Sequence, residues 1–178
     1  MKPPLELYDG TQASLPELIL LAAEEGFDTL TTTAALVDRA GMSLGELRKR
    51  CEDSGVAIGY IDGLHSPLSE APPGVSEERC YDIAEGLGAP AINAVHLNGP
   101  PVPFADMLDA LGGLVERAAR REYSILIEFL PGTGIPDFPV ALDLVRQIDD
   151  DHLRVMLDAW HLARSGEVQP RQSRRTRP

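Results

Sequence analysis

The sequence predicts an α/β fold, a parallel sheet with helices outside it, and three observations carry that expectation: a repeated helix-start signal, a glycine at constant distance behind it, and a strand-like run after each glycine. Ser14-Leu-Pro-Glu17 and Ser43-Leu-Gly-Glu46 have the capping-box form, in which the serine accepts from the third helical N–H and the glutamate reaches back. Ser76 is a third start, because Glu77 and Glu78 place negative charge in the first turn, where the helix dipole favours it. Each start is closed by a glycine twelve residues on, at Gly26, Gly55 and Gly88. Strand-like runs follow from Phe27 to Thr33, Val56 to Leu64 and Ala89 to Leu97.

The alternation continues. Phe104 to Arg121 reads as a longer helix, with Met107, Leu108, Leu111, Leu114, Val115 and Ala118 on one face, and Tyr123 to Leu130 reads as a strand. Asp137, with Pro139 just inside, caps a helix holding Val140, Leu142, Leu144, Val145 and Ile148; Leu153 to Trp160 is the next strand. The strand starts are 29, 33, 34 and 30 residues apart, the period of a βα unit. With a short first strand at Leu5 to Tyr8, this makes about six parallel strands alternating with five to six helices. Apolar runs such as Ile125-Leu-Ile and Val155-Met-Leu suit strands covered on both sides.

An open doubly wound sheet and a (β/α) barrel both fit this order. A dinucleotide fold should carry a glycine fingerprint after its first strand, yet Asp9-Gly-Thr-Gln-Ala-Ser supplies one glycine. The barrel is therefore preferred.

With 178 residues, 43% of them hydrophobic, the chain is long enough for one domain with a self-sufficient core. Cys51 and Cys80 lie in helix-like stretches without paired spacing, and no secretory leader is read before them; reduced thiols are expected rather than a disulfide or zinc pair. No apolar run approaches the roughly 20 residues that span a bilayer, so a soluble, cytoplasmic protein without a membrane partner is expected. The net charge of −12 hides an asymmetry: Arg171, Arg174, Arg175 and Arg177 crowd the last eight residues. Without them twelve basic residues face 28 acidic ones, a charge of −16 that repels phosphate backbones. A broad nucleic-acid surface is not expected. The basic tail, residues 167–178, reads as a contact arm or as a disordered terminus.

A barrel places its active site at the C-terminal ends of its strands. Ionisable residues gather there: His65 in Ile61-Asp-Gly-Leu-His65, His96 in Ala94-Val-His96, Glu128 in Ile125-Leu-Ile-Glu128, and Asp158 and His161 in Leu157-Asp158-Ala-Trp-His161. His152 precedes a strand and belongs at the opposite, solvated end. Glu128 carries the most weight, because a carboxylate in an apolar strand costs several kcal/mol unless paired, protonated or bound to a metal. Asp158, behind Val155-Met-Leu, is similar. His65 beside Ser66 and Pro67 also reads as a turn-stabilising residue, and His96 as a satisfied structural one. Trp160 is either a packing residue or an aromatic wall for the apolar face of a sugar.

Carboxylates and imidazoles on adjacent strand ends match a divalent metal of intermediate hardness: manganese, zinc, cobalt or magnesium. Such a site polarises a carbonyl or hydroxyl while a neighbouring carboxylate moves a proton, which suits isomerisation or epimerisation next to a carbonyl, and also metal-assisted hydrolysis.

These residues resemble a known family. Leu15-Pro-Glu-Leu-Ile-Leu-Leu-Ala-Ala-Glu-Glu-Gly-Phe-Asp is similar to the first helix and second strand of xylose isomerase-like TIM barrels, the superfamily of sugar phosphate isomerases and epimerases. Ile127-Glu128-Phe-Leu-Pro-Gly-Thr-Gly and Met156-Leu-Asp158-Ala-Trp-His161 resemble its two most recognisable motifs, and the likeness runs from about residue 5 to residue 166. It implies a partial barrel over residues 1–166, binding a divalent metal and a small sugar or sugar phosphate. By the resemblance, Glu128 ligates metal and exchanges a proton with the substrate, Asp158 ligates metal, and His161 contacts substrate oxygens. His65, His96 and Trp160 are then further substrate-binding candidates. In the related apurinic-endonuclease branch His161 can ligate metal, and His65 and His96 sit near zinc-ligand positions, which keeps phosphodiester hydrolysis open.

The family completes its site with a histidine and a glutamate on two later strands. After Gly166 twelve residues remain without a strand pattern, and the arginine-rich ending looks like an altered terminus. The expectation is an incomplete barrel with weak activity or none, its open edges covered in a homo-oligomer or by a partner, or a non-catalytic remnant.

Overall fold

Serine, threonine and aspartate side chains start most of the described helices, and glycines with positive φ follow the ends of four of them, so local chemistry divides the polypeptide before any packing is considered. A computed structural model describes residues 13–69, 75–97 and 102–165. These form α1 (Leu15–Glu24), β1 (Thr29–Thr33), α2 (Ala34–Arg39), α3 (Leu44–Ser54), β2 (Ala57–Leu64), α4 (Glu77–Leu87), β3 (Ala91–Val95), α5 (Phe104–Ala119), β4 (Ser124–Glu128), α6 (Phe138–Ile148), β5 (Leu153–Met156) and α7 (Ala159–Arg164). The expected strand at 5–8 and the basic tail lie outside the described residues.

The expected caps form. Glu46 accepts the Ser43 N–H at 2.8 Å while Ser43 Oγ accepts the Glu46 N–H at 3.3 Å; at α1, Glu17 accepts the Ser14 N–H at 2.7 Å. Ser76 and Asp137 accept the N–H of Arg79 and Val140 at 3.1 and 2.9 Å. Gly26, Gly55 and Gly88 take φ of 73°, 68° and 74°, the left-handed region that lets each chain leave its helix toward the next strand.

The five strands pair in parallel in the order β1-β2-β3-β4-β5, with β1 and β5 as edges among the described residues. Ile58, Ile61, Leu64, Ile92, Ala94, Ile125, Ile127 and Leu153 join Leu18, Ile19, Leu47, Ile83, Leu111, Leu114 and Leu144 of the helices in one buried cluster. This is an open arc of a β/α barrel, with its apolar core between the sheet and the outer helices. The two cysteines are free and buried in that core, and burial pushes both thiols up to about 11. No described helix is long and apolar enough to cross a membrane.

Two of the seven helices, α2 and α7, have starts that the sequence pattern does not mark. Thr33 ends β1 and its hydroxyl at once accepts the Leu36 N–H at 3.1 Å, so α2 begins with no intervening turn. The strand expected over Leu153 to Trp160 stops at Met156, because Asp158 accepts the N–H groups of Trp160 and His161 at 2.6 and 2.9 Å and opens α7. A charged cap on two backbone donors outweighs strand continuation there.

Candidate metal centre

Glu128 is the last residue of β4 and stands in register with Val95 of β3 and Met156 of β5. Ile125 and Ile127 are fully buried against the helices, so strand alternation puts Leu126 and Glu128 on the opposite face, the inside of the arc. Asp158 follows β5 by two residues. Its Oδ1 is occupied by capping, while its Oδ2 lies 3.7 Å from His161 Nε2. The same Nε2 is 3.2 Å from Glu128 Oε1, and the His161 side chain is 4% exposed. One potential ligand atom from each of Glu128, Asp158 and His161 lies within 4.8 Å of the others. Two strand ends and one helix turn thus deliver the trio.

Two residues not expected from the sequence extend this group. Asn93, in β3 and only 2% exposed, donates from Nδ2 to Asp62 Oδ1 at 2.8 Å and to Glu128 Oε2 at 2.7 Å. Ionised carboxylates only accept, so the Asn93 nitrogen must face them and its Oδ1 points away, where it has no partner. The signal that marks Glu128, a polar residue inside an apolar strand, is present in Ala91-Ile-Asn93-Ala-Val as well. Asp62 lies in β2 beside Gly63, and its charge acts on His65.

His65 and His96 are buried at the ends of β2 and β3, outside the trio. Burial holds His65 below the usual imidazole range, with the Asp62 charge opposing, and its Nδ1 has no partner. His96 Nδ1 accepts the Gly134 N–H at 3.1 Å, which places the ring proton of the neutral imidazole on Nε2, itself buried without a partner. Trp160 is 58% exposed, its ring against His161 and under the Arg164 guanidinium, 4.6 Å from the ring centroid. His152 lies at the other end of the sheet, paired with Asp150 at 3.1 Å.

The trio fits a divalent cation. Two carboxylates with an imidazole beside them suit zinc, manganese or cobalt, and so few protein ligands leave positions open for substrate. A cation also relieves the repulsion between carboxylates held this close.

A parallel β/α arc with carboxylate and imidazole groups gathered at its C-terminal strand ends has the architecture of an incomplete barrel with a candidate metal site. The model of the family described as xylose isomerase-like TIM barrel matches residues 19–176, and the chain belongs to that family. A comparison with curated protein sequences gave no significant match. Among solved structures, the IolI protein with a bound zinc atom superposes with a TM-score of 0.72 at 18% identity, over 87% of this chain and 61% of that one. A D-psicose 3-epimerase determined in the presence of D-fructose gives 0.66 at 19%, over 88% and 62%. An AP endonuclease of family 2 from Brucella melitensis gives 0.65 at 16%, over 85% and 66%. The chain therefore spans less than two thirds of the length of each, and the likeness is one of fold.

Proposed function

We propose that this chain carries the metal-binding half of a sugar isomerase or epimerase site, in which a proton moves at the carbon next to a carbonyl. The observation that supports this reading is the convergence of Glu128, Asp158 and His161 within 4.8 Å. In this reading Glu128 and Asp158 hold the cation, and Glu128 also takes the substrate proton. A divalent metal supplies polarisation of the substrate carbonyl. His161 orients a substrate oxygen through Nε2, the ring nitrogen that faces Glu128 and Asp158. His65, His96 and Trp160 line the approach of a small polyol, keto-sugar or sugar phosphate; His96 does so as a donor through Nε2. Turnover is proposed for a whole barrel of the relatives' length, and metal binding for this chain.

Hydrolysis of a phosphodiester is the second reading, favoured by the family 2 AP endonuclease fold and by two buried histidines near the rim. It needs His96 to ligate zinc. The Gly134 hydrogen bond to Nδ1 puts a proton on the nitrogen that would have to bind, which weighs against that role.

Metal analysis after dialysis and proton exchange test the first reading. One divalent ion per chain, retained through dialysis by the natural sequence but not by Glu128→Gln, is expected of this chain, and exchange of the carbon-bound proton next to a ketose carbonyl in deuterated buffer is expected of a whole barrel of the relatives' length. Metal-free protein after incubation with manganese, zinc and cobalt in turn would sink it.

A further inference from the structure

We propose that Asn93 is a positioning residue that makes Glu128 a one-oxygen metal ligand. The inference rests on the metal reading above and names a residue that reading does not use. Both N–H bonds of the Asn93 amide are spent on carboxylates, Asp62 Oδ1 at 2.8 Å and Glu128 Oε2 at 2.7 Å, from a side chain that is 2% exposed. Charge-assisted bonds of this length fix both partners. The amide cannot flip without turning its oxygen onto two anions, so the arrangement has one orientation.

The two oxygens of Glu128 are thereby made unequal. Oε2 is held toward β3 by Asn93, while Oε1 is the atom 3.2 Å from His161 Nε2, on the side of Asp158. A cation among the trio meets Oε1 alone, and a coordination position that a two-oxygen carboxylate would fill stays open for a substrate oxygen. Asn93 Oδ1, buried and without a partner, is the structural cost of this orientation. An amide with no role toward the carboxylates would be expected to satisfy that oxygen first.

The test is manganese alone titrated into the full chain, with free Mn²⁺ followed by electron paramagnetic resonance, for the natural sequence, Asn93→Ala, Glu128→Gln and the double variant. Expected is a loss of affinity of roughly 10–100-fold in Asn93→Ala, the usual weight of a residue that orients a ligand, and no further loss when it is added to Glu128→Gln. Unchanged affinity in Asn93→Ala, or losses that simply add, would overturn the positioning role and leave the metal centre standing. No uptake by the natural sequence would overturn both. Should Asn93→Ala fail to fold, zinc titrated into the natural protein decides: the Asn93 side-chain amide protons, followed by NMR, are expected to stay protected from exchange when zinc binds. Their release would show that Glu128 turns both oxygens to the ion, against the proposal.

Discussion

Asp158 holds His161 from two sides: Oδ1 accepts its backbone N–H at 2.9 Å, and Oδ2 lies 3.7 Å from its Nε2. The group that starts α7 is thus also one wall of the candidate metal centre, and the ring is placed by the helix turn that the carboxylate itself nucleates. Substitution separates the two roles. Asp158→Asn keeps an oxygen for the cap, whereas Asp158→Ala removes it. Both are expected to lose metal binding, but only Asp158→Ala should lose about 1 kcal/mol in urea unfolding. Equal stability of the two variants would show that the cap contributes nothing.

Glu128→Gln keeps the shape of the side chain and an oxygen for Asn93. It removes one negative charge from a group that already contains Asp62 and Asp158. The metal-free variant is expected to melt at or above the temperature of the natural protein, while any proton exchange the natural protein catalyses falls by about 10²–10⁴-fold. A clear drop in melting temperature would mean that the Glu128 charge stabilises the apo fold.

Gly86 lies in α4 where the helix meets α3, and a Cβ there would stand 2.6 Å from Leu44 Cδ1 and 2.8 Å from its Cβ. Helix propensity alone would favour alanine by about 1 kcal/mol. Overpacking opposes it by about 1–3 kcal/mol, so Gly86→Ala is expected to destabilise by up to about 2 kcal/mol in chemical denaturation. A more stable variant would show that Leu44 moves aside freely.

Stability should fall in mild acid through His65. The unfolded imidazole titrates near pH 6.5, and burial lowers the folded value with Asp62 opposing. Between the two values the unfolded chain holds more protons, so this contribution is intact above about pH 6.5 and is lost as pH drops toward the folded value. Urea midpoints at pH 7.5 and 5.5 should differ more in the natural protein than in His65→Gln. The same difference in both would assign the acid loss to other groups.

Glu128 was legible in the sequence because an ionised group in an apolar run is expensive wherever the strand lies. Its partner Asn93 sends the same signal more weakly: a neutral amide is satisfied by ordinary hydrogen bonds, and only the register between β3 and β4 brings it to Glu128. The α-helix starts were legible at Ser43, Ser76 and Asp137, where a capping residue follows a break in the apolar pattern. Thr33 hides its cap inside Thr31-Thr-Thr, a β-branched run that reads as strand to its last residue. Asp158 was legible as an ionisable residue at a strand end but not as a cap, since the apolar Leu157, Ala159 and Trp160 around it extend the strand pattern that the helix interrupts.

Each strand pairs with the next one in the chain, and this order governs how the centre can come into being. Glu128 and the Asp158–His161 turn are separated by one crossover, β4 to α6 to β5, so the entropy of bringing them together is that of closing a single βα loop. Contacts of such short sequence separation form early relative to pairings between distant segments. All three side chains of the trio lie between residues 128 and 161, so they are present together as soon as α7 has been synthesised.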